Sequence, residues 1–229
     1  MLEPDEIDLW FARLSVTPER LRSLDETLAP DEKARAARFV LDIHRNAFIA
    51  GRGILRSILS RYLNTPPAEI VFRYGERGKP YIADSPICFN VSHSGTMAAY
   101  AVARSATIGI DIEQIRETAG LEQIARRMFA VEETEELITG DPAHRLNAFY
   151  HCWTRKEAYI KAIGDGLSIP LGSFQVTLSP DVPAAIAQID GSSAKGAEWS
   201  LFDLAPSGGY AGALAVHGTG WKIVRTVTL

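Results

Sequence analysis

The 229-residue chain is poor in cysteine, has no excess of positive charge and contains no long apolar run. Its two cysteines, Cys88 and Cys152, are too few for a disulfide framework and show no Cys-x-x-Cys spacing, so two reduced, partly buried thiols are expected. The net charge of −4 lacks the basic excess of a typical nucleic-acid binder. The longest apolar runs, such as residues 97–103, fall far short of the roughly 20 residues needed to cross a bilayer. The opening Met1-Leu2-Glu3-Pro4-Asp5-Glu6 has neither a basic nor an apolar leader segment, so a cytoplasmic protein, not bound to membrane, is expected. No Gly-x-Ser-x-Gly elbow is present, and Gly51-Arg52-Gly53 lacks the Gly-Lys-Ser/Thr ending of a P-loop. With 46% hydrophobic and 23% charged residues, the chain can bury one large core or two small ones.

Apolar periodicity gives the element order. Residues 7–14 alternate Ile7, Leu9 and Phe11 against Asp8, Trp10 and Ala12, a strand pattern with a tryptophan on its polar side. A helix is expected from Pro30 to Phe39 and a long one over residues 42–63, where Phe48, Ile54, Leu55, Ile58, Leu59 and Tyr62 recur at helical spacing. Short strands follow at 70–74, 81–82, 87–92, 98–103 and 108–113. Helices are expected at 122–129 and 145–163, the second stopped by Gly164 and Gly166. Strands at 173–178, 199–204, 211–217 and 221–227 complete the chain, with 179–196 read as a loop. A faint internal echo relates residues 94–102 to 207–215 and suggests two similar halves, 1–105 and 106–229.

Four segments carry chemistry. In Ile108-Gly109-Ile110-Asp111-Ile112-Glu113 the isoleucines share one strand face and the two carboxylates the other, about 6.6 Å apart. Two hard oxygen ligands on a rigid element suit Mg2+ held together with phosphate oxygens, although an acidic solvated strand face has the same pattern. In Trp153-Thr154-Arg155-Lys156-Glu157-Ala158-Tyr159-Ile160-Lys161, Trp153, Glu157 and Lys161 share one helix face; Glu157 and Lys161 are either a third carboxylate with a phosphate-binding ammonium or a surface ion pair. Phe89-Asn90-Val91-Ser92-His93-Ser94 puts a serine and a histidine at a strand end. They point apart, a poor nucleophile pair, but are able to hold phosphate oxygens. Gly78-Lys79-Pro80 is a rigid turn presenting an ammonium.

The order Gly-Lys-Pro, Phe-Asn-Val-Ser-His-Ser, Ile-Gly-Ile-Asp-Ile-Glu, Trp-Thr-x-Lys-Glu-Ala-Tyr-x-Lys resembles the 4'-phosphopantetheinyl transferases of the surfactin-synthetase-activating type. The signatures span Lys79 to Lys161. The resemblance implies an α+β fold of two pseudosymmetric halves, each a small, mostly antiparallel sheet packed on a long helix, with the cleft complete within one monomeric chain. It implies a Mg2+-dependent enzyme, with Mn2+ as an alternative ion, that moves the phosphopantetheine arm of coenzyme A onto a serine of an apo acyl or peptidyl carrier protein and releases adenosine 3',5'-bisphosphate. By resemblance, Asp111, Glu113 and Glu157 bind the metal and Lys161 contacts the diphosphate. Lys79, Asn90, Ser92, His93 and Arg56 hold the nucleotide end, with Arg45 and Arg52 beside it. Asp111, Glu157 and Lys161 form the catalytic set. Glu157 is the candidate base, with a metal-bound water as the alternative. The family often carries an acidic residue at the position of Glu133 in Phe129-x-x-x-Glu133, and the adjacent Glu132 leaves open which one matches. Asp42 stands where some members have a lysine, and Arg38 or Arg45 could take over that contact. Two other readings are a non-catalytic coenzyme A sensor, which would lose the carboxylates, and a phosphohydrolase using water in place of serine.

Overall fold

The computed structural model describes residues 2–164, 169–178 and 182–229. Strand β1 (Glu6–Arg13) is followed by helices α1 (Pro18–Glu26), α2 (Pro30–Ala36) and α3 (Asp42–Leu63), then strands β2 (Arg73–Tyr74), β3 (Pro80–Tyr81), β4 (Ile87–Ser94), β5 (Met97–Arg104) and β6 (Ile108–Gln114). Helices α4 (Leu121–Met128), α5 (Val131–Thr139) and α6 (Arg145–Ile163) lead to strands β7 (Phe174–Val176) and β8 (Ile186–Ile189). The short helix α7 (Ser193–Gly196) and strands β9 (Trp199–Leu204), β10 (Tyr210–His217) and β11 (Lys222–Thr228) end the chain.

Two sheets lie face to face between two long helices. The first has the order β11-β1-β5-β4 and the second β6-β10-β9. All neighbours are antiparallel except β1 and β11. Alternate side chains of each central strand serve different layers. Trp10, Ala12, Tyr100 and Val102 pack under α3 residues Ile54, Leu55, Ile58 and Leu59. Ile7, Leu9, Phe11, Ala99 and Ala101 face the other way, against Ile108, Ile110, Ile112, Leu214 and Val216 of the second sheet. Ala213 and Ala215 pack under α6 residues Phe149, Cys152, Ala158 and Ile160. The result is a helix–sheet–sheet–helix stack with both faces of each sheet covered, so strict polar-out alternation does not apply. This explains Trp10 on the supposed polar face of β1: it is 1% exposed beneath α3, its indole N–H donating to Tyr62 Oη at 2.9 Å.

The sequence echo falls on β5 and β10, interior strands of their sheets and each under its own long helix. The boundary at residue 105 is crossed by β11, which returns to pair in parallel with β1. Helices α1, α5 and α7 were not legible in the hydrophobic pattern. The expected strand over 70–74 shortens to Arg73–Tyr74 after a 3-10 turn at Pro67–Glu69. Within the stretch read as a loop, β8 and α7 form, while residues 179–181 lie outside the described residues, as does the helix stop expected at Gly166. Gly164 does end α6, in the left-handed conformation at φ 88°. Among the described residues no helix is long and apolar enough to cross a membrane, and both cysteines are free.

Gly109 sets the distance between β6 and α6. A Cβ there would run into the Ala158 carbonyl oxygen and the Ala162 backbone, so only glycine lets the helix lie directly on the strand. Gly109→Ala is expected to destabilise the fold by about 3 kcal/mol, because rigid backbone and not a flexible side chain must give way. Urea unfolding should show a lower midpoint at unchanged slope.

Candidate active site at the seam between the halves

With the isoleucines of β6 facing the first sheet, Gly109, Asp111 and Glu113 face α6. Asp111 is 3% exposed. Its Oδ1 accepts from the Ser92 hydroxyl at 2.8 Å and from the Lys161 ammonium at 2.6 Å, while its Oδ2 is buried without a hydrogen-bond partner. Glu113 is half-buried, and its Oε2 accepts from the Ser94 hydroxyl at 2.6 Å. Glu157 and Lys161, one turn apart on α6, project to the same place. Burial raises the Glu157 carboxyl above the usual range, Asp111 and Glu113 add to the rise, and Lys161 opposes it. Asp111 is raised too, first by burial, against the pull of Lys161 and Ser92. Three carboxylates around one ammonium leave an excess of two negative charges in a half-buried place, which is costly without a compensating cation.

The donor set fits a divalent ion. All three groups are hard oxygen donors, and the buried Asp111 Oδ2 has no hydrogen-bond partner within the protein, a donor set that suits a hard divalent cation. The carboxylates are not drawn into a closed cluster: among the described residues no group of three or more His, Cys, Asp or Glu stands close enough to hold a metal by itself.

Residues 107–215 match the family described as the 4'-phosphopantetheinyl transferase superfamily, and residues 15–105 match the 4'-phosphopantetheinyl transferase N-terminal family. The chain is 41% identical over 222 residues to the 4'-phosphopantetheinyl transferase HetI of Nostoc sp., covering 95% of this chain and 90% of that one. It is 37% identical over 169 residues to the 4'-phosphopantetheinyl transferase Sfp of Bacillus subtilis, covering 72% and 73% of the two chains. The chain belongs to the 4'-phosphopantetheinyl transferase superfamily.

Of the residues that the resemblance to this superfamily singled out, Asp111, Glu113, Glu157, Lys161 and Ser92 meet at the seam. His93, at the end of β4, lies within electrostatic reach: partial desolvation of its ring by the surrounding protein, and then Lys161, lower its pKa, while Glu113 raises it. Others are committed elsewhere. The Lys79 ammonium donates to the carbonyls of Ile108 at 2.9 Å, Lys161 at 2.7 Å and Ala162 at 2.9 Å. An ammonium has three donors, so Lys79 ties the last turn of α6 to β6 and has no donor left for a nucleotide. Burial lowers its pKa to about 8, against the carbonyl ring and helix C-terminus that favour its charge. Arg56 is 1% exposed; it donates to Glu32 at 2.7 Å and to the carbonyls of Pro67 and Ile70, which anchors α3 to α2 and the following turn. Asn90 is also buried, its side-chain oxygen accepting from the Ile110 amide at 2.9 Å. Arg45 pairs with Asp42 on the surface. Arg52 lines a recess of about 300 Å³ with Asp31, Glu32, Arg35, Arg38, Phe48 and Tyr74; its Nε lies 3.4 Å from Glu32 Oε1, and its Nη1 is buried without a hydrogen-bond partner.

The structure also separates the two adjacent glutamates. Glu133 is 3% exposed and accepts from the Ala130 and Val176 amides and from Lys156 at 2.8 Å. Lys156, fully buried, also donates to the Leu171 and Phe174 carbonyls. Glu132 reaches Gln175 on the surface. Sequence reasoning gave no role to Lys156 or to Arg155, whose guanidinium grips Asp203 at 2.6 and 2.8 Å. The spacing of Lys156 from Cys152, Tyr159 and Ile160, on the apolar side of α6, was the signal available.

Two outcomes are expected. Lys79→Met should lower the unfolding midpoint, by about 2 kcal/mol, because it strands buried carbonyls; a nucleotide ligand would instead lose coenzyme A affinity at unchanged stability. Lys156→Met should cost about 3–5 kcal/mol by leaving Glu133 charged and unpaired, measurable by chemical denaturation.

Proposed function

We propose that this phosphopantetheinyl transferase moves the 4'-phosphopantetheine arm of coenzyme A to a carrier-protein serine at the seam, with Mg2+ held by Asp111, Glu113 and Glu157. The observation that carries this reading is the unpartnered, buried Oδ2 of Asp111 within a site of excess negative charge. The bound cation would neutralise charge on the phosphoryl oxygens. Lys161 is placed to bind and orient the diphosphate, and its hold on Asp111 Oδ1 sets where its ammonium points. Glu157, with its raised carboxyl pKa, is suited to accept the proton of the attacking serine. The serine oxygen bonds to the pantetheine-side phosphorus, the diphosphate P–O bond breaks, and adenosine 3',5'-bisphosphate leaves. Catalysis then rests on positioning and charge stabilisation, as in other phosphoryl transfers.

His93 borders the site at the end of β4 and is suited to meet a phosphate of the incoming nucleotide, whereas the Ser92 hydroxyl is already spent on Asp111, the Ile112 amide and Lys161. The recess that Arg35, Arg38 and Arg52 share with Asp31 and Glu32 carries three positive charges against two negative ones and is suited to the anionic end of coenzyme A. Because both sides of the seam come from one chain, the enzyme acts as a monomer in this reading. It acts in the cytoplasm, on an acyl or peptidyl carrier protein.

Intact-mass spectrometry of apo carriers incubated with coenzyme A and Mg2+ tests the proposal. One phosphopantetheine mass should be gained, and lost on chelation. Asp111→Ala should abolish the gain while unfolding as the wild type does; undiminished transfer by that variant would remove the metal assignment. Metal affinity carries a second expectation. The carboxyl pKa values of Asp111 and Glu157 are raised, so on acidification the free enzyme takes up protons above the ordinary carboxylate range. Protonated carboxyls are poor ligands. Mg2+ affinity should therefore fall with pH earlier than for surface carboxylates, readable by calorimetric titration at a series of pH values.

A further inference from the structure

Strands β4 and β6 meet at the seam without forming a backbone ladder. The β6 amides of Ile110, Ile112 and Gln114 donate instead to side chains of β4: Asn90 Oδ1 at 2.9 Å, Ser92 Oγ at 3.3 Å and Ser94 Oγ at 3.1 Å. The choice of side chain follows what precedes each amide on β6. Before Ile110 stands Gly109, and the acceptor is an amide oxygen, which can only accept. Before Ile112 and Gln114 stand Asp111 and Glu113, and the acceptors are hydroxyls, which accept and donate at once. Each hydroxyl spends its hydrogen on that neighbouring carboxylate, Ser92 on Asp111 at 2.8 Å and Ser94 on Glu113 at 2.6 Å. If joining the sheets were the whole task, an acceptor alone would serve at all three positions.

We propose that Ser94 is a positioning residue that fixes the Glu113 carboxylate for the metal. This rests on the reading of Asp111, Glu113 and Glu157 as metal ligands. Asp111 is already held by burial and by Lys161, whereas Glu113 is half-buried on a longer, more flexible side chain. An ionised carboxylate only accepts, and the Ser94 oxygen takes the Gln114 N–H, so the hydroxyl hydrogen is directed to Glu113 Oε2 in a short, charge-assisted bond. Ser94 is itself held: it is 7% exposed, and the next residue, Gly95, turns the chain at φ 56°. Gln114 Oε1 and Tyr210 Oη fill the space where a Cβ on Gly95 would sit, so the serine has little freedom to follow its carboxylate elsewhere.

The test is Mn2+ binding by electron paramagnetic resonance, with protein saturated in coenzyme A, for wild type, Ser94→Ala, Ser94→Thr and Val216→Ala. Val216 lies in the core between the sheets, away from the carboxylates, and its truncation controls for loss of stability alone. Ser94→Ala should bind Mn2+ about tenfold more weakly, the usual scale for losing a group that orients a metal ligand. Ser94→Thr should recover most of that loss, and Val216→Ala should unfold at lower temperature yet bind as wild type. Wild-type affinity in Ser94→Ala, or an equal loss in Val216→Ala, overturns the proposal. Absence of Mn2+ binding by the wild type overturns the metal assignment beneath it instead.

Discussion

The edge of β6 that no strand pairs is the constraint on which the site depends. A strand edge carries amides that must find acceptors when buried. Here the acceptors are side chains of Asn90, Ser92 and Ser94 on a strand of the other sheet. Side-chain acceptors let two face-to-face sheets meet at a corner without merging. They leave the alternate β6 side chains free to face α6, and Gly109 lets that helix come close enough for Glu157 and Lys161 to reach Asp111. The seam that closes the fold therefore also assembles the carboxylates.

Charge decides what this seam is for. Elsewhere the protein pairs its buried ions: Lys156 with Glu133 and two carbonyls, Arg56 with Glu32, and Arg155 with the exposed Asp203. Such sets hold separate segments together, and each leaves little charge uncompensated. The carboxylates at the seam outnumber their ammonium: among the described residues, Asp111, Glu113 and Glu157 share Lys161 alone. An imbalance of this kind stores a free-energy cost that binding a cation and a phosphate can relieve, so the strain is localised where the chemistry is placed.

Much of the architecture was legible in the sequence. The bounds of α3 and α6 follow from helical spacing and their end signals, because long amphipathic runs average out local ambiguity. The carboxylate face of β6 was legible because alternation in a strand fixes which residues travel together. The roles of Lys79, Arg56 and Asn90 were not, since a motif gives residue types but not the direction in which a donor is spent; only the fold shows that carbonyls from distant segments take the Lys79 protons. Helices α1 and α5 escaped notice because they are short, with few buried residues each. The pairing of β11 with β1 joins the two ends of the chain, a contact no local pattern can encode.

The central claim is that a divalent cation sits on the unpartnered oxygen of Asp111. The most direct measurement is anomalous diffraction from crystals of the coenzyme A complex grown with Mn2+. The account predicts a single anomalous peak within bonding distance of Asp111 Oδ2, with ligands from Glu113, Glu157 and the diphosphate. A Mn2+-free carboxylate set in a complex with ordered coenzyme A, with the Lys161 ammonium alone meeting the phosphates, would contradict it.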